Sequence, residues 1–151
     1  MPLPDPAAPI PMPPHAYVPG QNTRHPEDWF DGIKSSLQTS IPLADLQHTQ
    51  AFRAGMIYLD AGFYWECHEV LEAVWMQTPA VTPEREMVQA LIQLANAQLK
   101  ILMARPRAAE RLCDMVEDHL DKCTSSAPIL GVKPAQVRAR VKKLRLFLDP
   151  E

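Results

Sequence analysis

The chain has 151 residues, 46% of them hydrophobic and 22% charged, which suits one globular domain with a core of its own. A formal net charge of -3 excludes a surface that binds nucleic acid by neutralising phosphates. No stretch approaches the roughly 18 apolar residues of a membrane span, and the N-terminus has neither a basic nor an apolar leader region, so the expected location is the cytoplasm, away from membranes.

Nine of the 16 prolines precede residue 27. A segment so poor in backbone donors builds neither helix nor ladder, so residues 1–25 are expected to form an extended arm ahead of a helical domain over residues 26–151. Pro2, Pro4, Pro6 and Pro9 lack the flanking arginines of an SH3-type or WW-type ligand, which favours an arm that wraps its own domain, anchored by Tyr17, Val18 and Trp29. After the arm, helix signals recur and strand signals do not. Pro26 with Glu27 and Asp28 opens a short helix to about Leu37. A second helix, about Leu43 to Leu59, sets Leu46, Phe52, Met56 and Leu59 at helical spacing. Asp60-Ala61-Gly62 then turns the chain into an antiparallel third helix, Phe63 to Met76. Thr82 as N-cap and Pro83 at the first helical position start a fourth, which runs to about Met103. Pro106 opens a fifth with Ala109, Leu112, Val116 and Leu120 inward, and Pro134 a sixth that buries Val137, Val141, Leu144 and Leu148. The bases that crowd the C-terminus, Lys133 to Arg145, and the acids of the preceding helix, Glu110 to Asp121, are expected to neutralise one another. The sum is an all-α, single-domain bundle of five to six helices. Cys67, Cys113 and Cys123 form no CxxC pair and read as reduced thiols.

Chemistry concentrates in His68 to Trp75, HEVLEAVW. At 100° per residue His68, Glu72 and Trp75 fall within about 60° of one another, and Glu69 points about 60° beyond Glu72 toward solvent. His68 and Glu72 stand one turn apart and can touch. Phe63, Cys67, Val70, Leu71 and Val74 occupy the adjacent arc, so the pair borders a buried face. HExxE supplies half of what the HExxH motif of zincins supplies, and a third metal ligand would have to come from elsewhere, with His48, Glu86 and His119 as candidates. The alternatives are an i, i+4 ion pair with no metal, and acid-base use without metal. Tyr64 and Trp75 lie on the same side as His68, either as core or as a ligand platform.

The fourth helix is apolar almost all round except for Gln89, Gln93, Asn96 and Lys100, which share one side over three turns. This stripe is either a solvent face or one wall of a groove opposite His68 and Glu72, in which case Gln93 and Asn96 take His68 and Glu72 as polar partners. Lys100 would then meet an anionic ligand.

FRAGMIYLDAGFYWECHEVLEAVWM followed by VQALIQLANAQLK resembles the DUF309 family, small helical bacterial and archaeal proteins that share HxxxExxW or HxxxExxY. That pattern falls on His68, Glu72 and Trp75. YVPGQNTRHP is similar to the arm of family members and RPRAAERLCD to the segment after their central helix; Cys67 stands where alanine is common. The resemblance implies a helical fold and the metal binding that the motif has suggested for the family. Two functions follow. In the first, His68 and Glu72 bind a divalent metal (Zn, Fe or Mn) or relay a proton in a hydrolase-like site, Glu69 tunes or ligates, and Gln93, Asn96 and Lys100 orient a small polar or anionic ligand. In the second, the cluster of His68, Glu72 and Trp75 fixes the packing of a non-enzymatic scaffold or interaction protein; a homo-oligomer is left open.

Overall fold

A capping threonine (Thr49, Thr82) or a proline at the first helical position (Pro83, Pro106, Pro134) opens most of the long helices. The computed structural model describes residues 9–38 and 40–148, so the expectation for residues 1–8 of the arm lies outside the described residues. Among the described residues the helices are α1 (Asp31–Lys34), α2 (Leu43–Leu46), α3 (Gln50–Ala61), α4 (Tyr64–Trp75), α5 (Pro83–Leu102), α6 (Pro106–Asp121) and α7 (Pro134–Leu148). They form one all-helical domain. No described residue belongs to a strand, and only an isolated bridge joins Ile129 and Val132.

The count exceeds the expected five to six because the second expected helix is two. Thr49 breaks it: its hydroxyl accepts from the backbone N–H of Phe52 at 3.2 Å and donates to the carbonyl of Leu46 at 2.8 Å. A helix start is thereby made in the middle of an unbroken apolar pattern. The first expected helix is also shorter. Pro26 to Phe30 form turns, closed by bonds from Trp29 N to Pro26 O and from Asp31 N to Asp28 O, and α1 passes straight into a 3-10 turn at Ser35–Leu37.

Pro83 opens α5 with Thr82 as its cap, the hydroxyl accepting from the N–H of Arg85. Buried positions ring α5 from Met87 to Leu99, and it packs most extensively against α6 on one side and α4 on the other. Gly62, at φ 87°, takes the left-handed conformation that ends α3 and sends α4 back along it. Within α3, Gly55 permits the close approach of α4, since a Cβ there would stand 2.6 Å from Leu71 Cγ. Beyond α6, Arg138 meets Asp121 at 2.8 Å, and Arg145 meets Asp114 at 2.7 Å and Glu117 at 3.1 Å, so the basic last helix does sit on acids of α6.

Residues 9–25 contain neither helix nor strand and lie along the bundle. Three side chains of the domain and arm tie them down: Tyr58 donates its hydroxyl to Pro11 O at 2.5 Å, Gln50 donates to Pro9 O at 3.2 Å, and Gln21 reaches Leu102 O at 2.7 Å. Val18 is buried, and the Tyr17 ring meets Trp65 edge-on with centroids 5.0 Å apart. The free thiols Cys67, Cys113 and Cys123 are all buried.

Candidate functional site

α4 is amphipathic in an unusual way: it carries carboxylates on both its exposed and its buried sides. On the exposed side, His68 Nε2 lies 2.9 Å from Glu72 Oε1, and its Nδ1 lies 3.3 Å from the carbonyl of Trp65, one turn back. Both partners are acceptors. A neutral imidazole has one N–H and can donate to one of them, with its other nitrogen left as an electron-pair donor.

Glu69 stands closer to this pair than its place on the wheel foretold. The donor atoms of His68, Glu69 and Glu72 lie within 4.8 Å of one another, an arrangement able to hold a metal ion. Glu69 does not point to solvent. Lys34 of α1 crosses over it with Nζ 3.1 Å from Oε2, leaving its side chain 20% exposed against 56% for Glu72. The helical wheel of α4 contains no information about α1, which is why the expectation failed.

The more distant candidates for a third ligand are engaged or exposed elsewhere. Glu86 and His119 pair with each other at 2.6 Å, and His48 is exposed. Tyr64, in the first turn of α4, packs against the core. Trp75 is half-buried, with the Arg85 guanidinium stacked 3.7 Å from its ring centroid; Arg85 also donates to Thr78 O at 2.8 Å.

Between α4 and α5 a groove opens beside Glu72. Trp75 and Met76 line it from one side, Gln89, Ile92, Gln93 and Asn96 from the other. Three members of the polar stripe thus face the α4 side, while Lys100 is not part of the lining. Gln93 and Asn96 do not take His68 or Glu72 as partners. Asn96 Nδ2 donates to Gln93 Oε1 at 3.2 Å, because side chains three apart on a helix are already neighbours.

On the buried side of α4 sits a group that reading the sequence missed. Glu66 is fully buried, and its Oε2 accepts from His25 Nε2 and from the backbone N–H of Tyr17, both at 2.7 Å. His25 is itself buried, with its ring 4.5 Å from that of His15 and 5.9 Å from that of Phe30. Among the described residues, Glu66 Oε1 and His25 Nδ1 have no hydrogen-bond partner. Burial and the nearby Glu66 charge both push the Tyr58 phenol upward, so it stays protonated and able to donate to Pro11. A signal was available: Glu66 precedes Cys67 and stands one turn before Val70, on the arc that had to be buried.

The family described as "Domain of unknown function (DUF309)" matches residues 52–112. The matched stretch runs from α3 into α6 and includes the whole of α4 and α5 with His68, Glu69, Glu72 and Trp75. No curated protein and no solved structure matches the chain. Among the described residues, no helix is long and apolar enough to cross a membrane.

Proposed function

We propose that His68, Glu69 and Glu72 form a divalent-metal site of hydrolytic type at the edge of the α4–α5 groove. One observation carries the reading: His68 Nε2 and Glu72 Oε1, both able to act as electron-pair donors, face each other at 2.9 Å with Glu69 in the same cluster. Two ligand atoms each about 2.1 Å from one ion stand about 3.0 Å apart at the right angle of an octahedral ion and about 3.4 Å apart at the tetrahedral angle of zinc, so a spacing of 2.9 Å is close to the first and would open by about 0.5 Å for the second. The donor set of one imidazole nitrogen and two carboxylates fits Zn, Mn or Fe. Such an ion would supply Lewis-acid polarisation and activation of water for hydrolysis, with positions left open by three protein ligands.

The residues divide the remaining work. Trp65 O holds His68 Nδ1 and so directs Nε2 at Glu72, the outer contact that commonly fixes a ligating histidine. Lys34 engages one oxygen of Glu69 and leaves the other to ligate. The exposure of Glu72 gives an ion a way in.

The same contacts favour one other reading, a plain i, i+4 pair of His68 and Glu72 worth under about 1 kcal/mol within a non-enzymatic scaffold. Protein purified without a histidine tag, loaded with zinc and dialysed, separates the two. Metal near one equivalent per chain in the wild type, lost in His68→Ala and Glu72→Gln, supports the site. A wild type as metal-poor as His68→Ala leaves the ion pair.

A further inference from the structure

The groove beside Glu72 has a chemistry of its own. Its volume is about 220 Å³, room for a small ring compound. Trp75, Met76 and Ile92 give it apolar surface, and Gln89, Gln93 and Asn96 give it amides. The bond from Asn96 Nδ2 to Gln93 Oε1 uses one end of each side chain. Gln93 Nε2 is left as a donor and Asn96 Oδ1 as an acceptor, one turn apart on one face of α5. A ligand that carries an N–H and a C=O on one edge can meet both ends at once. The indole of Trp75 lines the groove and is held in place, since Arg85 stacks on it and is itself anchored to Thr78.

Charge decides against an anion. The lining holds one carboxylate, Glu72, and no cation. Arg85 is committed to Trp75 and Thr78, and Lys100 lies outside the lining. A divalent ion ligated by two carboxylates adds no net positive charge to the neighbourhood.

The geometry points to a small, planar, uncharged molecule with a cis-amide edge, a lactam or cyclic ureide, as the occupant of this groove. Its N–H meets Asn96 Oδ1, its C=O meets Gln93 Nε2, and its ring lies against Trp75. The inference names the ligand class of the metal site proposed above and rests on that reading only for the adjacency of the two, since the amides and the indole work without an ion.

Uracil and 2-pyrrolidone serve as neutral probes and inorganic phosphate and acetate as anionic ones, each titrated into zinc-loaded and zinc-free protein. Nitrogen-15 NMR follows the Trp75 indole N–H and the Gln93 and Asn96 side-chain amides. The expected result is a saturable shift of all three groups with the neutral probes, with affinity about tenfold weaker in Gln93→Glu, which removes the free donor while keeping the shape and the acceptor for Asn96. Asn96→Leu, which removes the free acceptor, weakens it similarly. No saturable shift with either neutral probe, tighter binding of an anion, or unchanged affinity in both variants overturns the inference. Zinc binding is read independently by competition with a chelator. Zinc that fails to bind while uracil still does removes the metal reading and keeps this one, and bound zinc without a uracil shift does the reverse.

Discussion

Replacing Glu66 with alanine removes the one acceptor shared by His25 Nε2 and the Tyr17 N–H, both held at 2.7 Å. Breaking a buried charge-bearing pair by deleting one partner costs about 3–5 kcal/mol, because the survivor stays desolvated. Here the survivors belong to the arm, which has an escape: it can lift and let water satisfy them. The expected loss is therefore at the low end, about 3 kcal/mol, equivalent to a Tm lower by about 6–12 °C in a chain of this size. Urea denaturation measures the stability, and hydrogen exchange of the Tyr17 amide reports whether the arm has lifted. Glu66→Gln, which keeps the volume and one acceptor, should fall between the wild type and Glu66→Ala. In a double-mutant cycle with His25→Ala the two losses should fail to add by about 1–3 kcal/mol. A Glu66→Ala protein within about 0.5 kcal/mol of wild type, with the Tyr17 amide still protected, would refute the idea that this carboxylate holds the arm.

Gly55→Ala should destabilise by about 1–3 kcal/mol in urea, against the usual gain of about 1 kcal/mol for removing a mid-helix glycine, because the new Cβ overlaps Leu71; a more stable variant would show that Leu71 has room to move aside. Lys34→Ala frees the second oxygen of Glu69 and takes away a positive charge, so zinc affinity in chelator competition should rise severalfold; a fall would mean that Lys34 is needed to aim Glu69. Burial raises the pKa of all three thiols, Cys67 most of all, which lowers the thiolate fraction at pH 8. Iodoacetamide should therefore leave the native protein unlabelled and modify three sites once denaturant is added, and labelling of the native protein at the rate of a free peptide thiol would contradict this.

The parts of the fold that were legible in the sequence are those decided by local chemistry. Thr82 with Pro83, Pro106, Pro134 and Gly62 each mark a helix boundary through their own backbone or side chain, and the boundaries fall there. Thr49 was legible in principle, since a threonine three residues before Phe52 can cap, but the continuous apolar spacing from Leu46 to Leu59 hid it. The contact between His68 and Glu72 follows from i, i+4 spacing alone. What reading the sequence could not supply depends on which segments meet. Lys34 over Glu69 spans 35 residues and His25 on Glu66 spans 41, and no periodicity within α4 names either partner. The stripe on α5 was visible as a stripe, whereas the exclusion of Lys100 from the groove depends on where α4 ends relative to α5.

The arm's hold on Glu66 also bears on the order in which the chain assembles. Until residues 17–25 dock, that carboxylate lacks both of its partners, the His25 imidazole and the Tyr17 amide, whereas α3, α4 and α5 pack through contacts that are short in sequence. Satisfying Glu66 is thereby tied to docking of the arm, a late event with its own equilibrium, which places the arm among the first regions to open under native conditions while the bundle beneath it stays closed.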